Sequence, residues 1–301
     1  MSTPTPHAPE PLFWRLAPMA FVLFWAAGYS FAKMGLPHIK PMTLLALRYS
    51  LAVLVLLPVL LVHRPTWPSG WRHWMAIAAT GFLIQCVYFG LAYKAMDYGM
   101  NAGTTAIIMA LQPILVATLS PLVTGSRYTT QLWLGLVLGL AGVVVVIAAG
   151  GTLGPSPWVA VLFALMALAG MTAATLFEKW HGRRTDPVVG GLVQYVVGAA
   201  VLVPVALASG IGHIDWGTEL VVSLAYLVIV NSIVSISLFV GLLQRGDATR
   251  ISALMYLVPP LALLIAWVVL GEKMTSLALL GMLICITGVW LVNRAGRVNP
   301  A

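Results

Sequence analysis

The chain has 301 residues, 60% of them hydrophobic and 8% charged, with a formal net charge of +8. A soluble domain carries about 25% charged residues, and a soluble core cannot absorb so much apolar surface when so little polar surface remains to cover it; an all-α chain solvated largely by lipid is predicted. The basic excess would point to nucleic acid in a soluble protein. Here the Lys and Arg residues stand singly at the ends of apolar runs, which the positive-inside rule explains better, so no nucleic-acid partner is expected.

In chain order, residues 1–11 are rich in Pro and Thr and lack the basic start of a secretory signal, so they read as a short disordered cytoplasmic tail. Five apolar runs follow at 12–33, 42–62, 72–95, 101–122 and 129–149, then five more at 157–178, 187–209, 217–243, 249–269 and 275–293. Each is close to the ~20 residues a helix needs to cross the hydrocarbon core. Runs of that length mean spanning helices, since barrel strands are about half as long. Short connectors carry the breakers, among them Pro37, Pro41, Pro65, Pro68, Gly125, Pro187, Gly210 and Gly212. Cys86 and Cys285 fall inside apolar runs and read as packing residues, with no disulfide or metal pair.

Of the 16 Lys and Arg residues, eleven fall on one side if the N-terminus is cytoplasmic: Arg15, Arg64, Arg72, Arg127, Lys179, Arg183, Arg184, Arg245, Arg250, Arg294 and Arg297. Four fall on the other (Lys33, Lys40, Lys94 and Lys273), and Arg48 lies within a run. The bias places both termini inside, in a bacterial inner membrane.

Sliding the chain by 146 positions superposes its halves. Pro41, Tyr49 and Pro58 fall on Pro187, Tyr195 and Pro204. Met109, Leu111 and Pro113 fall on Met255, Leu257 and Pro259, and Gly125, Gly135 and Gly142 on Gly271, Gly281 and Gly288. One shift that recovers Pro and Gly punctuation along the chain marks an internal repeat, 12–149 and 157–293. Five helices per half is an odd number, so the second half crosses the membrane in the opposite sense. Inverted repeats of this kind build secondary transporters, because two like halves of opposite sense let inward- and outward-open states have nearly equal energy.

The run Trp25-Ala26-Ala27-Gly28-Tyr29-Ser30-Phe31 and the segment Leu270-Gly271-Glu272-Lys273-Met274-Thr275, followed by Gly281 and Gly288, carry a family likeness. With the five-plus-five duplication, the chain resembles the drug/metabolite transporter superfamily in its EamA branch, and within it exporters of amino acids, including aromatic ones. The first half departs from the pattern, with Gly125-Ser126 where the second has Gly271-Glu272. The resemblance implies a central cavity formed mainly by helices 1, 3, 4, 6, 8 and 9.

The acids Glu10, Asp97, Glu178, Asp186, Asp215, Glu219, Asp247 and Glu272, like the six histidines, fall in connectors or near helix ends. Intramembrane proton relays normally need such groups at depth, so uncoupled movement of cargo down its own gradient is expected. No phosphate-binding loop, zinc motif or acidic magnesium cluster is present, which argues against an enzyme and against any cofactor or metal. Pro113 and Pro259 sit near mid-depth, and a helical proline cannot donate to the carbonyl four residues back. The carbonyls of Met109 and Met255, and that of Tyr256 below Pro260, would then be free to form a polar ledge or flexing point, unless the prolines are packing kinks alone. Gln85 and its repeat mate Asn231 are deep amides. By helical spacing they share faces with Tyr88 and Ser235, as Met109 does with Gln112 and Ser252 with Tyr256. These residues either line the cavity or bond neighbouring helices. Trp25 and Tyr29 form a core contact or an aromatic wall. Arg48, whose mate is Gln194, either snorkels to headgroups, as Lys33 and Lys179 are expected to do, or attracts a substrate carboxylate. Gly135, Gly139 and Gly142 indicate close helix packing.

The reading is a monomeric ten-helix transporter, embedded in lipid, that exports small amphipathic zwitterions by alternating access. Amino acids are the first choice, since rings stack on Trp and Tyr while amides hold the ammonium and carboxylate. The alternatives are a sugar-phosphate or nucleotide-sugar transporter, which would want several deep cations, and a membrane enzyme or scaffold.

Overall fold

The computed structural model describes residues 12–63, 65–100, 102–125, 127–149, 157–181, 185–270, 275–295, 297 and 298. The tail 1–11 and the segment 271–274 lie outside them. Among the described residues, nine helices are long and apolar enough to cross a membrane, where the sequence predicts ten spans. Five are unbroken α-helices: α2 (Pro41–His63), α7 (Thr130–Ala149), α8 (Trp158–His181), α9 (Pro187–Ala208) and α14 (Ser276–Arg294). A sixth, α1 (Leu12–Gly35), runs on through a 3-10 turn at Leu36–His38.

The other spans are interrupted, and the interruptions recur at matching places. The run predicted at 101–122 is α5 (Ala102–Met109) and α6 (Gln112–Thr124), parted at Ala110 and Leu111. The run at 249–269 is α12 (Ala248–Ala253), a 3-10 turn at Leu254–Leu257 and α13 (Val258–Leu270). Proline has a fixed φ and no N–H, so it fits the first turn of a helix far better than the interior. Pro113 and Pro259 are each the second residue of a new helix, and Pro260 is the third.

The third and eighth predicted runs carry a different interruption. One is α3 (Trp71–Gly81), a π-helical stretch at Phe82–Gly90 and α4 (Leu91–Asp97). The other is α10 (Thr218–Tyr226), a π-helical stretch at Leu227–Ser235 and α11 (Ile236–Arg245). Such wide turns are rare and frequently occur at functional sites. Gln85 and Asn231 lie at equivalent places within the two stretches.

Equivalent helices also pack on each other. A Cβ on Gly135 would meet the Gly288 carbonyl at 2.8 Å, and one on Gly142 would meet the Cys285 amide at 2.5 Å and the Gly281 carbonyl at 2.8 Å. Contacts that rise along α7 fall along α14, so the two helices run antiparallel, with backbones nearly touching. The small-residue stripe is what permits this approach, since a bilayer offers little hydrophobic drive between helices. In the α2–α9 pair, Tyr49 and Tyr195 stack at 5.7 Å between ring centroids. Large apolar side chains such as Leu54, Leu61, Val137, Leu283 and Trp290 are exposed. In water they would form an aggregation-prone patch; against lipid they are the outer surface. The described strand pairing is two residues long, Arg127–Tyr128 against Arg297–Val298.

Candidate functional site

Arg48 is the first surprise of the interior. Its side chain is 1% exposed, so it does not snorkel to headgroups. The flanking Leu44, Leu45 and Tyr49 are buried too, which turns this face of α2 into the bundle. There Arg48 Nε donates to Ser232 Oγ at 2.6 Å and a terminal nitrogen donates to Asn231 Oδ1 at 2.6 Å. Asn231 Nδ2 in turn donates to the Phe24 carbonyl at 3.4 Å. Phe89 lies 4.9 Å below the guanidinium carbon. A guanidinium has five N–H donors, and no carboxylate among the described residues pairs with it. The remaining donors face a chamber of about 50 Å³, lined by Trp25, Gly28, Ala32, Phe89, Tyr93 and Asn231 among others. Gly28 is part of the construction: a Cβ there would fall 2.2 Å from Asn231 Nδ2.

Trp25 is buried and packs against Phe21, Phe89 and Phe239. It is at once core and chamber wall. Tyr29 belongs to α1 next to the chamber-lining Gly28, and its side chain lies outside the described residues. Gln85 does not join its mate Asn231 in this chamber. It is fully buried against Gly198 and Tyr49, and both atoms of its amide lack a partner. The same is true of Gln194 Oε1, one turn away on α9. Tyr88 is buried in the core with its ring on Phe89. The face-sharing predicted for Gln85 with Tyr88, at a spacing of three, assumed an α-turn. The stretch has wider i→i+5 turns instead. In the other stretch Ser235 Oγ donates to the Val230 carbonyl, five residues back.

Gln112 Nε2 donates to Thr175 Oγ1 at 3.0 Å, which ties α6 to α8. Met109 ends α5 half-buried against the core. Ser252 and Tyr256 are fully buried, and their hydroxyl oxygens have no partner. The Tyr256 ring fills the space that a side chain on Gly139 would take. The carbonyl ledge predicted at Met255 is not free: the 3-10 turn brings the Val258 N–H to it. Tightening the turn before a proline supplies a donor that an α-turn would lose. Lys179 also departs from expectation. Instead of reaching headgroups it donates to the carbonyls of Leu243 and Gly246, capping the C-terminal end of α11.

A second chamber, of about 110 Å³, is lined by Trp14, Ile77, Glu178, Gln194, Val240, Gln244 and Arg245 among others. Under the 146-residue shift the two chambers share two lining positions, Arg48 falling on Gln194 and Ala32 on Glu178. Glu178 stands near a helix end, as the sequence indicates, but its carboxylate points into the protein. Oε1 accepts from Gln244 Nε2 at 2.7 Å and Oε2 from Thr80 Oγ1 at 3.2 Å. Neither Ser232, Phe89 and Tyr93 nor Glu178, Thr80 and Gln244 were among the predicted site residues. The repeat register held the signal for Glu178, because it aligns with a position one turn from Gly28 of the first-helix motif.

At one end of the bundle the connectors are tied together. His38 lies 3.0 Å from both Asp215 and Glu219, Lys40 donates to the Gly210 carbonyl, and Thr43 donates to the Ile211 carbonyl.

The comparisons with known proteins agree with this architecture. A crystal structure of another protein superposes with a TM-score of 0.78 at 18% identity, covering 92% of this chain and 95% of that one, so the fold is shared. An uncharacterized transporter of Bacillus subtilis, YvbV, is 25% identical over 283 residues, or 93% of this chain and 91% of that protein. A probable amino-acid metabolite efflux pump of Salmonella typhimurium is 27% identical over 300 residues, covering 92% and 96% of the two chains. The uncharacterized inner membrane transporter YedA of Escherichia coli K12 is 24% identical over 298 residues, covering 97% and 93%. The model of the EamA-like transporter family matches twice, at residues 12–148 and 158–294. With two copies of the family's segment filling nearly its whole length, this multi-pass membrane chain belongs to the EamA-like transporter family.

Proposed function

We propose that this transporter exports small amphipathic zwitterions, amino acids with aromatic or apolar side chains first, by alternating access in a bacterial inner membrane with both termini cytoplasmic. The observation that carries the reading is Arg48. A buried charge is costly unless paired and hydrogen-bonded, and this one is oriented by Asn231 and Ser232 yet has no carboxylate on it among the described residues. The missing anion is the carboxylate of the cargo, bound through the free edge of the guanidinium beside the rings of Trp25 and Phe89. The fork geometry suits a carboxylate or a phosphate, but a single guanidinium in a chamber this small favours the smaller, singly charged group.

The proposed architecture is ten spans in two inverted five-helix halves, 12–149 and 157–293. Matching proline breaks, matching π stretches and the antiparallel self-packing of α7 with α14 support it. Cargo moves down its own gradient, and one chain suffices. The test is transport in proteoliposomes loaded with radiolabelled phenylalanine. Arg48→Gln should abolish efflux, and Arg48→Lys, which keeps the charge but loses the fork, should retain only a small part of it. Full efflux in both variants would refute the reading.

A further inference from the structure

The second chamber, which shares two repeat-related positions with the Arg48 chamber, is lined by the acids Glu178 and Asp186 and by Arg245. Glu178 lines it with a carboxylate whose two contacts, Gln244 and Thr80, are both neutral. These donors orient the group without neutralising it. A carboxylate has about four acceptor directions, so two remain. No ion pair joins Glu178 to a cation among the described residues. Of the nearby basic groups, Arg245 stacks on Trp14 at 3.6 Å and donates to the Gly241 carbonyl, Lys179 caps α11, and His181 stacks on Phe177, close enough to act on Glu178 electrostatically but without a hydrogen bond to it. The chamber holds about 110 Å³, several times the ~30 Å³ that a water molecule occupies in the liquid. That is room for a headgroup, where a proton would need none.

We propose that Glu178 docks a primary ammonium group of the cargo in this second chamber, which makes it a binding site distinct from Arg48. The inference rests on the zwitterionic cargo proposed above. The repeat relates one lining position of each chamber to the charged residue of the other. Arg48 stands where the other half has Gln194, and Glu178 stands where the other half has Ala32. A zwitterion therefore finds a partner for its carboxylate in Arg48 at one chamber and a partner for its ammonium in Glu178 at the other; Arg245, which also lines the second chamber, is stacked on Trp14.

The experiment measures binding to the full-length protein in detergent micelles by isothermal titration calorimetry. The probes are phenethylamine, which has only the ammonium, and 3-phenylpropionate, which has only the carboxylate. Wild type should bind both. Glu178→Gln should weaken phenethylamine by about tenfold or more, the loss of one charge-assisted contact, and leave 3-phenylpropionate within about twofold. Glu178→Asp should recover part of the phenethylamine affinity, which guards against a Gln variant that fails to fold. Unchanged phenethylamine affinity in Glu178→Gln, or equal loss of both probes, would overturn the proposal. If wild type binds 3-phenylpropionate but not phenethylamine, the Glu178 site falls and the Arg48 reading stands. If it binds only phenethylamine, through Glu178, the Arg48 reading falls and this site stands. Binding of neither would remove both.

Discussion

Gln85 and Asn231 are repeat mates, yet replacing each with Leu should push stability in opposite directions. Both atoms of the Gln85 amide are buried without a partner. An unsatisfied buried polar group costs about 1–3 kcal/mol. Leucine has a similar volume and nothing to satisfy, so Gln85→Leu should stabilise the protein by about 1–3 kcal/mol. Asn231 instead accepts from Arg48 and donates to the Phe24 carbonyl. Asn231→Leu deletes a hydrogen bond to a charged group, worth about 1.5–3 kcal/mol, and leaves the buried guanidinium with Ser232 alone. It should destabilise by at least that amount and weaken cargo binding, because Arg48 is no longer held toward the chamber. The assay is reversible unfolding in mixed micelles with increasing SDS, paired with phenylalanine efflux from proteoliposomes. Shifts of the same sign for both variants would refute the reasoning, as would an Asn231→Leu variant with wild-type stability and efflux.

Reporter fusions placed after residue 150 should read outside and fusions at the C-terminus inside; the reverse pattern would overturn the orientation. Gly28→Ala should displace the Asn231 amide, since its Cβ would lie 2.2 Å from Nδ2, and efflux should fall with little loss of membrane insertion, measured on the same vesicles. Gly142→Leu should destabilise by about 3 kcal/mol or more, because its Cβ meets backbone atoms of α14 that cannot rotate away; SDS unfolding reads this directly. An imposed pH gradient should not concentrate phenylalanine in proteoliposomes that start with equal phenylalanine on both sides of the membrane. Accumulation abolished by a protonophore would show ion coupling.

Composition and period alone decided that this chain lives in lipid as helices, because 8% charged residues cannot solvate its apolar surface in water. They also located nine spans among the described residues and showed that the chain repeats, since proline and glycine leave their mark in the sequence wherever the backbone must break or approach closely. Pro113 and Pro259 were legible as breaks for that reason. The local geometry at the breaks was not, because whether a turn tightens to 3-10 at Met255 or widens to π around Gln85 and Asn231 depends on the helices packed against it. The candidate site was only half legible. Asn231 and Trp25 stood out as deep polar and aromatic residues, but an arginine a few turns into an apolar run reads the same whether it turns to headgroups or inward. Only the packing of α2 against the π stretch turned Arg48 onto Asn231 and Ser232. Likewise Glu178 has the sequence position of a headgroup-facing acid, and the contacts from Thr80 and Gln244, nearly a hundred and over sixty residues away, turn it inward. Burial of a charge depends on neighbours distant in sequence, and those neighbours exist only once the tertiary structure has brought them together.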